Sequence, residues 1–127
     1  MSDSKEERSK FRLSKAKEAL KKAQILAKTN TWNHVAKWLY YSCFHIAVSY
    51  LILDGRERGT HKRLKTKFNQ LLVLEGKIDA QYGKLYNRLF ELRQDVDFKD
   101  FDEERIAPLI DQVSKFIDLI EQLMNEE

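Results

Sequence analysis

The side chains with chemical potential in this chain are three histidines, one cysteine and a scatter of arginines. His34, His45 and His61 stand eleven and sixteen residues apart. They form no ligand-like helical pattern with carboxylates, so no metal site is expected. Cys43 is alone and lies in the most apolar stretch, which excludes an internal disulfide framework and suits a reducing, cytoplasmic setting. Gly-rich phosphate loops, dinucleotide fingerprints and serine nucleophile elbows are missing from the sequence. No cofactor is expected. His45, within an apolar face, reads as a hydrogen-bonded core histidine.

His61 has a different setting, GTHKRLK, at a helix start among cations that favour its neutral form. It reads either as a surface or capping residue or as part of an anion site. Arg56, Arg58, Lys62, Arg63, Lys65 and Lys67 surround it, and the helix start adds its positive dipole end. An anion, most naturally a phosphate of RNA or of a nucleotide, is therefore expected near His61, Lys62 and Arg63. Arg88 and Arg93 are the other arginines of interest. Tyr86, Arg93 and Asp97 share one side of their helix at spacings of seven and four. Arg93 is read either as a second phosphate contact or as an ion-pair partner of Asp95 or Asp97.

The elements that must position these groups are helical. At 127 residues, with four Gly and one Pro, the chain reads as one domain with a core of useful size. Its organising stretch is residues 32–54, WNHVAKWLYYSCFHIAVSYLILD, free of Gly and Pro and carrying only the charges Lys37 and Asp54. A helix apolar nearly all round is buried among other helices. Its polar residues and its Tyr and Trp rings argue against a lipid-facing span. Ala36, Ser42, Cys43, Ala47 and Ser49 allow neighbours to come close. Tyr40, Phe44 and Ala47 are expected to be buried against the first, fourth and fifth helices.

Around it, a first helix over about residues 5–28 carries the stripe Leu13, Ala16, Leu20, Ala23 and Ala27. Asn30 or Thr31 is expected to cap the central helix. A third helix follows Thr60 to about residue 74, and a fourth starts at Asp79 and runs to about residue 95. Residues 95–104 read as an acidic loop, and a fifth helix spans about residues 102–124, with Pro108 tolerated in its first turns. Short loops between long amphipathic helices imply antiparallel neighbours. The expected fold is all-α, an antiparallel up-and-down bundle of four long helices plus one shorter helix.

Net charge is +3 but unevenly distributed. Residues 1–30 hold nine Lys or Arg against four acids, whereas residues 95–127 hold eleven acids against three bases. Such asymmetry fits solvated helix faces, pairing within or between molecules, or a basic surface for nucleic acid. MSDSKEERSK has no apolar run after its charges, so neither a leader nor a membrane anchor is expected.

Four segments, KAKEALKKAQILAKTNTWNHVAKWLYYSCFHIA, GTHKRLKTKFNQLLVLEGKID, YGKLYNRLFELRQDVDF and IAPLIDQVSKFIDLIEQL, jointly resemble the HEPN domain family in its small stand-alone prokaryotic form. The resemblance covers nearly the whole chain. It implies a helical bundle that commonly dimerises, with the fourth helix near the functional groove. Many members are metal-independent RNases, often toxins paired with a small nucleotidyltransferase. Their site is an Arg followed after four to six residues by His. Arg93 takes the Arg position here, but the matching positions are Phe98, Lys99 and Asp100. The expectation is thus a non-catalytic or weakly catalytic binding module with His61, Lys62, Arg63, Arg93 and Asp97 as ligand contacts. Expected partners are a second copy, RNA or a nucleotide, and a nucleotidyltransferase-type protein. The alternatives are an RNase using His61 and Arg93, or a purely structural bundle for protein–protein assembly.

Overall fold

The computed structural model describes residues 4–126, which form helices α1 (Lys5–Ala27), α2 (Trp32–Leu53), α3 (His61–Phe68), α4 (Ala80–Asp95) and α5 (Glu103–Glu126). Among the described residues there is no strand, and no helix is long and apolar enough to cross a membrane. The chain is an all-α helical bundle.

Local chemistry accounts for most boundaries. The Ser4, Thr60 and Asp79 side chains accept backbone N–H groups at the starts of α1, α3 and α4. Asp102 does the same for α5, accepting from the Arg105 N–H at 2.9 Å. The start of α2 differs from expectation. Thr31 makes no capping bond there, because its hydroxyl donates backwards to the Leu26 carbonyl at 3.2 Å. Asn30 instead turns the chain with a φ of 58°, a conformation that Asn tolerates better than most residues.

Helix α2 is the hub. It packs most extensively on α1, then on α5 and α4, and more lightly on α3. The α1–α2 contact is close because Ala16, Ala19 and Ala23 present almost no side chain. At this approach the Ser42 hydroxyl donates to the Ala16 carbonyl at 2.8 Å and Ser9 donates to the Ser49 carbonyl at 2.9 Å. These hydroxyls are buried yet satisfied, so they cost little.

Tyr40, Phe44 and Ala47 are all buried; the contact with α4 is as expected, but the first two also meet α3, which was not among the expected neighbours. Phe44 stacks on His61 of α3, and Tyr40 meets Phe90 of α4 edge-on. The rings of α4 are largely used inside the bundle. Tyr86 is fully buried against Phe68, and Tyr82 stacks on Phe116 at 5.7 Å.

The third helix ends in a wider π turn over Asn69–Val73. Gly83 of α4 faces that turn, and a Cβ there would come within 3.0 Å of both Asn69 Oδ1 and Val73 Cγ2. The missing side chain lets the π turn sit against α4, where Asn69 donates to Asn87 at 3.0 Å.

Candidate nucleic-acid or nucleotide site

Thr60 caps α3, so the first residue of that helix, His61, is delivered onto the flank of α2. Its ring lies 4.1 Å from the Phe44 ring, nearly parallel, and its Nδ1 is 2.9 Å from the Tyr40 hydroxyl. In the last turn of α4, Arg93 reaches the same flank. Its guanidinium sits 5.7 Å from the centre of the Tyr41 ring and donates to the Tyr41 hydroxyl at 3.4 Å. Between them opens a cleft of about 350 Å³, with Tyr40, Tyr41 and Phe90 as its aromatic wall and Thr60, His61, Lys62, Arg93 and Gln94 as its polar edge.

The electrostatics of this cleft are one-sided, since no carboxylate is among its lining residues. His61 is held below its ordinary pKa, first by partial burial and then by the Arg93 and Arg12 guanidiniums. The Tyr40 phenol is pushed up to about 12, mainly by burial and then by Tyr41, with Arg93 pulling the other way. At neutral pH the cleft therefore presents a neutral imidazole, an un-ionised phenol and two fixed cations. Such a set can hold a phosphoryl oxygen and can exchange a proton with a group beside it.

The family model for the HEPN domain matches residues 9–126. This chain belongs to the HEPN domain family. A UPF0332 protein of Thermotoga maritima is 30% identical over 115 residues, covering 88% of this chain and 87% of the relative. A protein of Methanocaldococcus jannaschii named "Putative toxin MJ0605" is 26% identical over 113 residues, covering 87% of this chain and 84% of its own length.

Within this HEPN bundle His61, Lys62 and Arg93 line one cleft. Arg63 faces an adjoining groove of about 430 Å³ that it shares with Thr60, Lys62, Thr66 and Lys67. Asp97 is exposed in the turn after α4 and does not line the cleft. The ion pair weighed for Arg93 goes elsewhere: Asp95 pairs with Lys99 at 3.3 Å. His34 is exposed on the first turn of α2. His45 is half-buried, not a full core residue, and its Nδ1 lies 3.0 Å from Arg12 Nη1. Among the described residues no group of three or more His, Cys, Asp or Glu is placed to hold a metal ion.

Sequence reading passed over several residues that shape the site. The Tyr40 and Tyr41 hydroxyls orient His61 and Arg93. The signal available was two phenols in succession on an otherwise apolar helix, whose O–H groups need partners when buried. Asn33 was missed as well. Its Nδ2 donates to the Val96 and Lys99 carbonyls at 2.8 and 2.6 Å, and its Oδ1 accepts from the Phe101 N–H at 2.8 Å. That clamp holds the turn immediately after Arg93.

Proposed function

We propose that this HEPN protein is a binding module that takes a phosphate of RNA or of a nucleotide into the cleft between His61 and Arg93. The observation carrying this reading is the convergence of His61, Lys62 and Arg93 on one cleft without a carboxylate. Binding comes without efficient cleavage, because no imidazole stands four to six residues beyond Arg93. The module acts in the cytoplasm as a homodimer within a toxin–antitoxin or defence system, alongside a nucleotidyltransferase-type partner. The name of the archaeal relative supports the toxin setting. Exposed Phe11 and Phe98 offer apolar surface to a second copy or to that partner.

The test is binding of a fluorescent single-stranded RNA and of a nucleotide as a function of salt. Affinity is expected to fall steeply as salt rises, since each neutralised phosphate releases counterions. Replacing Arg93 or Lys62 with Gln should weaken binding while leaving the melting temperature nearly unchanged. Salt-insensitive or absent binding would sink the reading and favour a purely structural bundle for protein partners.

A second reading has one observation in its favour: a neutral imidazole, His61, stands in the same cleft as the Arg93 guanidinium. That pair suits metal-independent RNA cleavage, with imidazole moving the 2′-hydroxyl proton and arginine holding the phosphate. Cleavage in the presence of chelator, abolished by His61→Ala, would promote this reading over binding alone.

A further inference from the structure

A second guanidinium, outside the cleft, shares the aromatic ring on which His61 stacks. Arg12 of α1 sits 5.9 Å from the centre of the Phe44 ring, the same ring on which His61 stacks. Its Nη1 lies 3.0 Å from His45 Nδ1. Arginine can only donate, so His45 Nδ1 is the acceptor and the imidazole proton resides on Nε2. Arg12 and Arg93 are both half-buried, and among the described residues neither has a carboxylate within ion-pair distance. Glu18, the acid that acts on His45, is already paired with Lys15 at 3.4 Å. Both guanidiniums act on the His61 imidazole. Glu7 and Glu57 line the groove beside Arg12, but neither is within ion-pair distance of it, so each fork keeps donors for an anion.

We propose that Arg12, held in place by His45, forms a second anion subsite on the Phe44 ring that it shares with His61, so that the ligand carries at least two phosphoryl groups. The inference rests on the cleft reading and narrows its ligand class. A compound with a single phosphate engages Arg93 and Lys62 alone, whereas a chain of phosphates bridges His61 and reaches Arg12. Adjacent phosphodiesters of an RNA strand and the diphosphate of a nucleotide share this chemistry. The donors at the second subsite are the Arg12 guanidinium N–H groups left over from the bond to His45, which holds the fork in place.

The experiment titrates the full chain calorimetrically with a nucleoside monophosphate, the matching nucleoside diphosphate and a 5′-phosphorylated RNA dinucleotide. Arg12→Gln is expected to weaken the two-phosphate probes about tenfold and to lower their salt slope by about one, as loss of one phosphate contact does. The monophosphate should change less than about twofold, whereas Arg93→Gln should weaken all three probes. Whichever two-phosphate probe loses more with Arg12→Gln identifies the source, strand or nucleotide. Unchanged two-phosphate binding in Arg12→Gln, with Arg93→Gln still impaired, overturns the second subsite and leaves the cleft reading intact. Wild-type protein that binds none of the probes overturns both. Circular dichroism establishes that each variant is folded. If Arg12→Gln is not, Arg12→Lys keeps the charge without the fork and should show the same selective loss at smaller size; no loss there overturns the subsite.

Discussion

The Tyr40 hydroxyl and the His61 Nδ1 meet at 2.9 Å, joining residues twenty-one positions apart on α2 and α3. Tyr40 itself is 2% exposed and wedged against Tyr41, Phe44 and Phe90, so its oxygen has little freedom to move. His61 is exposed on its other side, so one ring nitrogen is anchored in the core while the imidazole still faces the cleft. Tyr40→Phe removes the anchor and keeps the ring. It is expected to cost about 1 kcal/mol of stability, and to weaken ligand binding without abolishing it. Denaturant melts and binding titrations check the two effects separately, and undiminished binding would show that His61 needs no anchor.

Stability should depend on pH through the two depressed histidines. His45 is lowered to about 4 by burial first, then by Arg12, Lys15 and His61, against an opposing pull from Glu18. His61 is lowered by burial, Arg93 and Arg12. In the unfolded chain both titrate near their ordinary value of about 6.5, so between there and the folded values the unfolded state binds more protons. Stability therefore rises with pH through that window. It is full above about pH 6.5 and falls as pH drops toward 4. Urea midpoints at pH 7, 5.5 and 4.5 should decline in order, and His45→Gln should flatten the decline.

Asn33→Ala should release the turn that follows Arg93. Three hydrogen bonds to residues 96–101 are lost together, two of them part-buried and one exposed, at a cost of about 1–2 kcal/mol. Hydrogen exchange in that segment is expected to accelerate while the α1–α2 pair stays protected. Unchanged exchange there would mean that the turn holds itself.

Ala47 is fully buried on α2. Ala47→Phe should destabilise by about 1–3 kcal/mol through overpacking, because the helices around it cannot separate without breaking their own contacts. A melting temperature equal to that of the wild type would contradict the packing of α2 at the hub.

The helices themselves were legible in the chain of residues. Residues 32–54 have too few charges and too many apolar faces to sit at a surface, so the central helix follows from solvation alone. Thr60, Asp79 and Asp102 announce their helices because a capping side chain acts on an N–H two or three residues away. The joint spacing of four segments carried the family, and His61 could be singled out because its cationic neighbours are adjacent in sequence. Local interactions are encoded locally. The partners across the bundle were not legible: Tyr40 with His61, Tyr41 with Arg93, Arg12 with His45, and Asn33 with the turn after α4. Each joins residues on different helices, and the pairing is set by helix crossing and rotation, which the small residues Ala16, Ala19, Ala23 and Gly83 control through how closely backbones approach. For the same reason Asp97, placed by periodicity beside Arg93, lies outside the cleft: the helix ends at Asp95, and the chain turns away before reaching it. Periodicity assigns a residue to a face only while the helix lasts, and where α4 stops is decided by the Asn33 clamp and the packing of Phe101 on the bundle.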